Sequence, residues 1–438
     1  MNKSLSSRGN RASKTVLRTD MDMFFEAVDN QYDKEKNLTG AFPLNVAENR
    51  LTWNILSAKI KEITTEKDIP EWVAGYTSGQ GHPSFRASVA RFLTRFLTKC
   101  PMDENKFAFS AGATSVIEMT ALVLGDPGDV MAFCAPSYPV YKQDIGNIAE
   151  LERYDIITHH DISDLQNGLI LEISHLEAAK KDIESQGKRF KAFVLTTPDN
   201  PTGGIYSYEK LWEVSSWCIE NEVHLIVNEI YGLSLIDTSH PAIRSDYSTS
   251  NHFASFAQIM EVRQNDYLHL WYAFSKDFGV SGFRVGLVYS HNDIFIKAYE
   301  NLNYSHLVSN YTQWILEEVL NDHAFVKSYI ETNQKTLTEA YIIVVNALKS
   351  VDISYVPSYG SLFIWLDLSA FLKKETIKAE QKFWLKLYKK TGVLLTPGDG
   401  FGHTKRGLFR MVYPFIPLEE LEVAMKRFTK FLKKRSKS

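Results

Sequence analysis

The sequence predicts an α/β protein with two domains. The large domain is expected to hold a mostly parallel sheet flanked by helices, because short apolar runs alternate with helical stretches through the middle of the chain. These runs are continuous rather than alternating, which is typical of strands buried on both faces. From about Tyr304 the pattern changes to a long helical region, and this C-terminal third, with an N-terminal arm, predicts a smaller α+β domain. A length of 438 residues agrees with two domains.

The predicted elements follow in chain order. A helical stretch, Ser115–Leu124, comes first, and the helix Tyr208–Glu220 is amphipathic with apolar residues at helical spacing. The candidate strands of the large sheet are Asp129–Cys134, Lys191–Thr196, Val223–Val227, Tyr267–Phe274 and Val285–Ser290. The C-terminal third is expected to contain a helical region over Ser309–Ala347, a strand over Ser361–Leu366 and an amphipathic helix over Leu418–Leu432.

The positions of these elements indicate where each domain begins and ends. Residues 1–30 are expected to form a disordered basic leader, and residues 31–70 the N-terminal arm of the small domain. The large domain should span residues 71–305, and the C-terminal part of the small domain residues 306–438.

Composition restricts the class of protein. The net charge of −3 gives no electrostatic reason to expect nucleic acid as a partner. The three cysteines lie far apart without metal-ligand spacing, so neither a disulfide framework nor a metal site is indicated. No apolar run reaches the ~20 residues of a membrane span. A cytoplasmic location is therefore expected.

A lysine at the end of an apolar run is the most informative group in the chain. Lys276 comes just after the run Tyr267–Phe274, and Arg284 follows within eight residues, after a turn that contains glycines. An amine at a strand end, with a guanidinium nearby, is what pyridoxal 5'-phosphate chemistry requires. The lysine forms the Schiff base, and the arginine binds the phosphate through a fork of hydrogen bonds. A surface lysine in an ordinary strand–turn–strand is the plain alternative.

Other polar groups follow the predicted strands, at the sheet edge where open α/β sheets bind ligands. Tyr138 can stack on the pyridine ring of the cofactor. Asn200 and Tyr231 can hydrogen-bond its phenolate oxygen, and Asn200 is also expected to contact the substrate. Arg410 suits bidentate capture of an amino-acid carboxylate.

A small-residue segment predicts the other side of the phosphate site. Gly112, Ala113 and Thr114 directly precede the helical stretch. Small residues let the backbone close on an anion, and the N–H groups at a helix start point toward it.

These segments resemble the class I/II aminotransferase superfamily of fold-type I pyridoxal phosphate enzymes, over roughly residues 40–432. Within it, the chain is most similar to the 1-aminocyclopropane-1-carboxylate synthase and synthase-like branch. The segments that carry the resemblance are Val46–Arg50, Tyr76 with Gly81–Arg86, Ser110–Thr114, Thr197–Gly203, Asn228–Tyr231 and Ser275–Gly286.

The resemblance implies a homodimer whose two active sites lie at the subunit interface. It implies that Tyr76 reaches the phosphate of the neighbouring subunit and that Glu48 lies near the substrate. An α-amino acid would then form an external aldimine with the cofactor in place of Lys276, and Lys276 would remove its Cα proton. Transamination, or γ-elimination, replacement or cyclisation of a γ-substituted amino acid such as S-adenosylmethionine, would follow.

The chain departs from the family pattern at two positions. Asn228 stands where the family's aspartate pairs with the pyridine nitrogen, and an amide cannot favour the protonated nitrogen as a carboxylate does. Glu229 should point to the opposite face of the strand. Ala273 stands where the plant synthases have a phosphate-binding serine, although Ser275 remains.

The departure at Asn228 leaves three explanations open. The enzyme runs chemistry that needs no long-lived quinonoid, it is a cofactor-binding protein with weak or lost catalysis, or the position was engineered. The first is favoured because the lysine and the phosphate groups are intact. A nucleotide-binding dehydrogenase is disfavoured, since no strand–helix junction carries the glycine fingerprint of that class.

Overall fold

A seven-stranded sheet lies at the centre of the computed structural model, which describes residues 3–14, 20–247 and 251–434. Numbered along the described chain, the strands of all its sheets are β1 (Phe42–Pro43), β2 (Phe107–Ser110), β3 (Val130–Ala135), β4 (Glu152–Ile157), β5 (Phe190–Thr196), β6 (His224–Asn228), β7 (Leu268–Ala273), β8 (Gly286–Ser290), β9 (Phe363–Asp367), β10 (Val393–Leu394), β11 (Thr396–Pro397) and β12 (Leu408–Val412). The large sheet has the spatial order β2-β8-β7-β6-β5-β3-β4. Strand β8 is antiparallel to both its neighbours, and the other pairs are parallel.

Helices cover this sheet and build the rest of the molecule. They are α1 (Ser7–Ala12), α2 (Met21–Asp29), α3 (Trp53–Glu66), α4 (Pro83–Phe92), α5 (Ala113–Leu124), α6 (Tyr141–Gly146), α7 (Ile173–Ser185), α8 (Tyr208–Glu220), α9 (Ala257–Arg263), α10 (Phe274–Asp277), α11 (Asp293–Leu302), α12 (Asn310–Asn321), α13 (His323–Lys349), α14 (Ile377–Thr391) and α15 (Leu418–Lys433). In the described part of the chain, no helix has both the length and the apolar character needed to cross a bilayer.

The register of the central strands places their polar ends side by side. Thr196 at the end of β5 pairs with Asn228 at the end of β6, and Asn228 pairs with Trp271 of β7. The interiors of these strands are buried on both faces, so their apolar runs pack against helices above and below. The carboxyl ends of β5, β6 and β7 therefore form one edge of the sheet.

A second apolar core joins the N-terminal residues to the C-terminal third. Phe24, Phe42 and Leu44 pack in the same buried cluster as residues of α13, α14 and α15. Strand β1 pairs in parallel with β10, and the antiparallel sheet β11-β12-β9 lies in the same part of the molecule. The N-terminal residues thus pack in the same core as the C-terminal third of the chain.

The predicted fold class is confirmed. The five predicted strands of the large sheet are β3, β5, β6, β7 and β8, with bounds shifted by one residue at most, and α8 has the predicted bounds. Two further strands of that sheet, β2 and β4, were not predicted. The long helical region is two helices, because the Asp322 carboxylate accepts a hydrogen bond from the backbone N–H of Phe325 and starts α13.

The N-terminal leader differs from the expectation of disorder. Helices α1 and α2 occupy part of residues 1–30, and the spacing of Phe24 and Ala27 in α2 buries both side chains. The ring of Phe24 meets that of Phe415 edge-on, with centroids 5.7 Å apart. Residues 1–2 and 15–19 of the expected leader lie outside the described residues.

Candidate active site

The carboxyl ends of the central strands open into a cavity of about 250 Å³. Its walls are built mainly from groups that follow β3, β5, β6 and β7, together with the start of α5. Ten of the predicted site residues line it: Ala113, Thr114, Tyr138, Asn200, Asn228, Tyr231, Ser275, Lys276, Arg284 and Arg410. The fold therefore brings together groups that are almost three hundred residues apart in the sequence.

Lys276 enters the cavity from the short helix α10, which begins where β7 ends. Its Nζ donates a hydrogen bond to the carbonyl oxygen of Ala47, at 2.6 Å. Ala47 belongs to the N-terminal arm and also lines the cavity. The amine is thus held at the cavity wall by a backbone group from a distant part of the chain.

The neighbouring Asp277 anchors the turn that presents the lysine. Its buried carboxylate accepts hydrogen bonds from Ser234 Oγ at 2.6 Å, from the backbone N–H of Leu233 at 3.1 Å and from the Tyr272 hydroxyl at 3.1 Å. Burial raises the pKa of Asp277 to about 7. The carboxylate is fully used inside the protein and does not line the cavity.

Gly112 lies directly against Arg284, which lines the cavity. Gly112 precedes α5 with a φ of 91°, a conformation that suits glycine. A Cβ atom added at Gly112 would collide with the guanidinium of Arg284, so only glycine allows this close approach. Arg284 Nη1 donates to the carbonyl oxygen of Ser281 at 2.8 Å. A guanidinium beside the start of a twelve-residue helix is an anion-binding arrangement.

Aromatic rings and an amide also line the cavity. The ring of Tyr138 meets that of Tyr141 edge-on, with centroids 5.3 Å apart. Asn228 Nδ2 donates to the Tyr141 hydroxyl at 3.0 Å. Burial raises the pKa of Tyr141 to about 12. Tyr138, Tyr141 and Asn228 all line the cavity.

Arg410 lies on β12, and its side chain is fully buried. Its Nη1 donates to Asn200 Oδ1 at 2.8 Å, and its Nη2 donates to the Asn45 carbonyl oxygen at 2.9 Å. Asn200 Nδ2 in turn donates to the Tyr231 hydroxyl at 3.3 Å. The guanidinium lies 4.5 Å from the ring centroid of Phe363. These contacts hold its plane in one orientation.

The charged groups that line the cavity are all cations. They are Lys276, Arg284 and Arg410, and no carboxylate belongs to the lining in the described ranges. Glu229 follows Asn228 but accepts hydrogen bonds from Ser255 Oγ at 2.7 Å and the Phe256 N–H at 2.5 Å, as its predicted orientation on the other face requires. Burial raises the pKa of Glu229 to about 8. The cavity therefore suits an anionic ligand.

Comparison with known proteins identifies the family. The sequence matches the family "Aminotransferase class I and II" over residues 41–428. The chain belongs to this family. It is 30% identical over 418 residues to a 1-aminocyclopropane-1-carboxylate synthase of Glycine max, covering 92% of this chain and 83% of that protein. With the 1-aminocyclopropane-1-carboxylate synthase 7 of Arabidopsis thaliana, the identity is 28%, covering 93% and 90% of the two chains.

Solved structures show that this aminotransferase-family chain has the fold of its family. An archaeal alanine:glyoxylate aminotransferase superposes with a TM-score of 0.81 at 18% identity, covering 99% of both chains. Aspartate aminotransferase from Thermus thermophilus with maleate superposes with a TM-score of 0.76 at 18% identity, covering 97% of this chain and 99% of that one.

Pyridoxal phosphate is the cofactor of this aminotransferase-family chain. The residues present fit it. Arg284, beside the backbone at Gly112, would hold the phosphate, and Lys276 would supply the amine for the aldehyde. Tyr138, predicted to stack on the ring, lines the same cavity. The chain is thus a pyridoxal phosphate-dependent enzyme related to the 1-aminocyclopropane-1-carboxylate synthases.

Three predicted residues of this aminotransferase-family chain, Tyr76, Glu48 and Gly112, do not line the cavity. Tyr76 is fully exposed. Glu48 forms an ion pair with Arg50 at 2.7 Å, although the preceding residues Val46 and Ala47 line the cavity. Gly112 lies outside the lining but directly precedes Ala113 and lies against Arg284, which both belong to it. The roles predicted for Tyr76 and Glu48 stay predictions.

Several lining residues of the aminotransferase-family site were missed by the sequence analysis. Tyr141 lies three residues after Tyr138, and Thr196 is the last residue of a predicted strand, so their positions were available as signals. The backbone carbonyl of Ala47 carries no such signal, because any residue type offers the same oxygen. Met21 enters from the segment expected to be disordered.

Proposed function

We propose that this chain removes the Cα proton of an α-amino acid with Lys276 and then releases or displaces the substrate's γ-substituent. One observation carries the proposed proton removal: the Lys276 amine and the Arg410 guanidinium line the same cavity. A substrate whose carboxylate is bound at Arg410 would therefore lie in the same cavity as the lysine. Release of the substituent from Cγ is the chemistry of a lyase, whereas exchange of the amino group is that of a transferase.

Lys276 is proposed to act as the base. When bound, pyridoxal phosphate supplies an aldehyde that captures the substrate amine and a ring that withdraws electrons from Cα. The hydrogen bond from Nζ to the Ala47 carbonyl, 2.6 Å long, holds the lysine amine at the cavity wall. An amine held there lies in the same cavity as the group proposed to bind the substrate carboxylate, which is the placement that a base requires.

Arg410 is proposed to bind the α-carboxylate, with Asn200 beside it. The guanidinium is buried and oriented by Asn200 and by the Asn45 carbonyl. A preoriented guanidinium forms two parallel hydrogen bonds with a carboxylate, and such charge-assisted pairs are stronger than neutral ones. Arg284 and the backbone around Gly112 are proposed to hold the phosphate, which leaves Arg410 for the substrate.

The neutral side chain of Asn228 favours release at the γ-position. A carboxylate there would favour a protonated ring nitrogen and draw charge away from Cα. An amide draws less, so more negative charge stays at the substrate Cα. That charge can displace a γ-substituent directly, whereas transamination requires a proton to be delivered at the cofactor carbon.

Transamination is the second candidate, favoured by the match to the aminotransferase family over residues 41–428. A cofactor-binding protein with weak turnover is the third, because of Asn228. Both alternatives would use the same groups around the same cofactor as the proposed function does, so the reaction products have to distinguish the three.

Product analysis of the purified, cofactor-loaded protein tests the proposal. With S-adenosylmethionine we expect release of methylthioadenosine, and with an amino acid plus a 2-oxo acid we expect little exchange of the amino group. The reverse pattern would establish transamination. A visible spectrum that stays unchanged across a panel of amino acids and S-adenosylmethionine would establish the weak-turnover protein. Lys276→Ala is the matched control and should abolish both products.

Borohydride trapping tests the lysine assignment separately. Reduction of the loaded protein should fix the cofactor on Lys276 and on no other lysine, as read from the labelled peptide. Label on a different residue, or a protein that stays colourless with pyridoxal phosphate, would overturn the proposal.

We further propose that the active enzyme is a homodimer and that Tyr76 completes the phosphate site of the second copy. Its full exposure in a single chain supports this, because a large aromatic side chain in contact with solvent on every side has no packing role there.

Glu48 is proposed to face a cationic γ-substituent such as a sulfonium. It follows directly on Val46 and Ala47, which line the cavity, and rotation out of its ion pair with Arg50 would turn the carboxylate toward the substrate. Glu48→Gln should raise KM for S-adenosylmethionine more than KM for an uncharged amino acid; equal KM changes would contradict this role.

A further inference from the structure

The orientation of the Asn228 amide is fixed by its neighbours. The backbone N–H of Ile230 donates to Asn228 Oδ1 at 3.2 Å. A backbone N–H can only donate, so the atom that it meets must be the carbonyl oxygen of the side chain. The amide nitrogen is therefore at the opposite position, where Nδ2 lies 3.0 Å from the Tyr141 hydroxyl.

The hydroxyl of Tyr141 holds the amide nitrogen in place. The hydroxyl oxygen of Tyr141 lies 3.1 Å from Thr196 Oγ1. The hydroxyl can therefore donate a hydrogen bond to the threonine while its oxygen accepts one from Asn228. The phenol ring is buried and stacks on Phe133 with centroids 4.4 Å apart. This leaves Tyr141 little freedom to release the amide.

The second hydrogen on Nδ2 is the one available to the cavity that Asn228 lines. An amide nitrogen carries two donor hydrogens, and Tyr141 accepts only one. A ring nitrogen placed against Asn228 thus meets a donor. A protonated ring nitrogen is itself a donor, and two donors face to face leave both unsatisfied in a buried site.

The charges around the cavity act in the same direction. The titratable groups of its lining are Tyr138, Tyr141, Tyr231 and Lys276, and its permanent cations are Arg284 and Arg410. The buried carboxylates next to these elements are directed elsewhere: Glu229 to Ser255 and Phe256, Asp277 to Ser234 and Leu233, and Asp199 to Thr202. Asp144, on the helix of Tyr141, is also buried and lies outside the lining. No anion of the described lining would offset a pyridinium.

We infer that this site binds pyridoxal phosphate with an unprotonated ring nitrogen, which accepts a hydrogen bond from Asn228, and that Tyr141 is the positioning residue for that amide. The inference rests on the proposed function only in that the cofactor ring lies beside Asn228. This hydrogen bond runs in the opposite direction to the one that an aspartate would form, because a carboxylate would accept from the ring nitrogen, whereas the amide donates to it.

Nitrogen NMR of the loaded enzyme tests the inference. The protein is loaded with pyridoxal phosphate labelled with ¹⁵N in the ring, and the ring resonance is followed from pH 6 to pH 9. We expect the resonance of an unprotonated, hydrogen-bonded nitrogen throughout this range. In Asn228→Asp we expect the resonance of a protonated nitrogen, since the carboxylate accepts from Ile230 and from Tyr141 and can also accept from the ring.

Tyr141→Phe tests the positioning role. Without the hydroxyl, the amide loses one of its two anchors, and the ring nitrogen should move toward the resonance of a nitrogen without a hydrogen bond. Loss of packing alone would lower thermal stability without moving that resonance. An unchanged resonance in Tyr141→Phe would overturn the role of Tyr141.

A protonated nitrogen in the wild-type protein would overturn the inference about Asn228 and would remove the Asn228 argument for release at Cγ, but it would not refute that reaction, which the products decide. The proposed reaction fails on a different result, which is exchange of the amino group with a 2-oxo acid and no release of methylthioadenosine, or trapping of the cofactor at a residue other than Lys276. A protein that takes up no labelled cofactor would overturn both.

Discussion

Replacing Arg410 by lysine should weaken recognition of the substrate carboxylate while the charge is kept. Arg410 is fully buried, with Nη1 at 2.8 Å from Asn200 Oδ1 and Nη2 at 2.9 Å from the Asn45 carbonyl. A lysine ammonium is a single point, so it cannot keep both contacts and also present two parallel donors to a carboxylate. Loss of one charge-assisted hydrogen bond costs about 1.5–3 kcal/mol. This corresponds to a fall of about 10- to 150-fold in kcat/KM.

A comparison of kcat/KM for two substrates tests this magnitude. The value of kcat/KM is measured for an amino acid and, by Cα–H exchange, for the amine that lacks its carboxylate. Arg410→Lys should lower the value for the amino acid by the stated factor and leave that for the amine within about twofold, because the amine has no group for Arg410 to bind. Arg406→Lys is the matched control. Its guanidinium pairs with Asp399 at 3.0 Å and does not line the cavity.

Two results would refute the reasoning. Equal losses for the amino acid and the amine would show that Arg410 acts through the fold rather than through the carboxylate. A loss below about threefold for the amino acid would show that the carboxylate binds elsewhere. Thermal unfolding of each variant identifies the first case, because loss of the contacts to Asn200 and Asn45 would also lower the thermal stability of the fold.

Three further changes test other parts of the site. Gly112→Ala places a Cβ against the Arg284 guanidinium at a φ of 91°, so the Kd for pyridoxal phosphate should rise at least about tenfold, measured by absorbance titration; an unchanged Kd would contradict the phosphate assignment. Asn228→Asp should accelerate Cα–H exchange of a bound amino acid in deuterated water, and an unchanged rate would show that the ring environment does not limit this step. Tyr76→Ala mixed with Lys276→Ala should recover activity above that of either variant alone, because one site of the hybrid dimer is intact; no recovery would place Tyr76 in its own subunit's site or outside any site.

The strands of the large sheet that the sequence predicted are the ones buried on both faces. Their apolar runs, such as β6 and β7, cannot be mistaken for surface segments. Strand β4 was missed because it is an edge strand that pairs only with β3, and its sequence Glu152-Arg153-Tyr154-Asp155 is polar enough for an exposed loop. Strand β2 was missed because it spans only four residues.

The site was predictable where strand ends determine it. Groups that follow β5, β6 and β7 meet at one edge for a topological reason, so Asn200, Asn228 and Lys276 could be placed together from the sequence. The contact between Asn228 and Tyr141 joins residues 87 positions apart and depends on the packing of α6 against the sheet. Spacing along the chain holds no information about such a contact, and the same is true of the Ala47 carbonyl.

The absence of a carboxylate from the described cavity lining determines where this enzyme must obtain its reactivity. A carboxylate at position 228 would stabilise negative charge at Cα by keeping the ring nitrogen protonated. With an amide there, the acidity of Cα depends more on the remaining groups, which are the cations of the lining and the lysine that takes the proton. Release of a good leaving group at Cγ removes negative charge from Cα without a further proton transfer. This is the reason why we propose release at Cγ ahead of transamination for this chain.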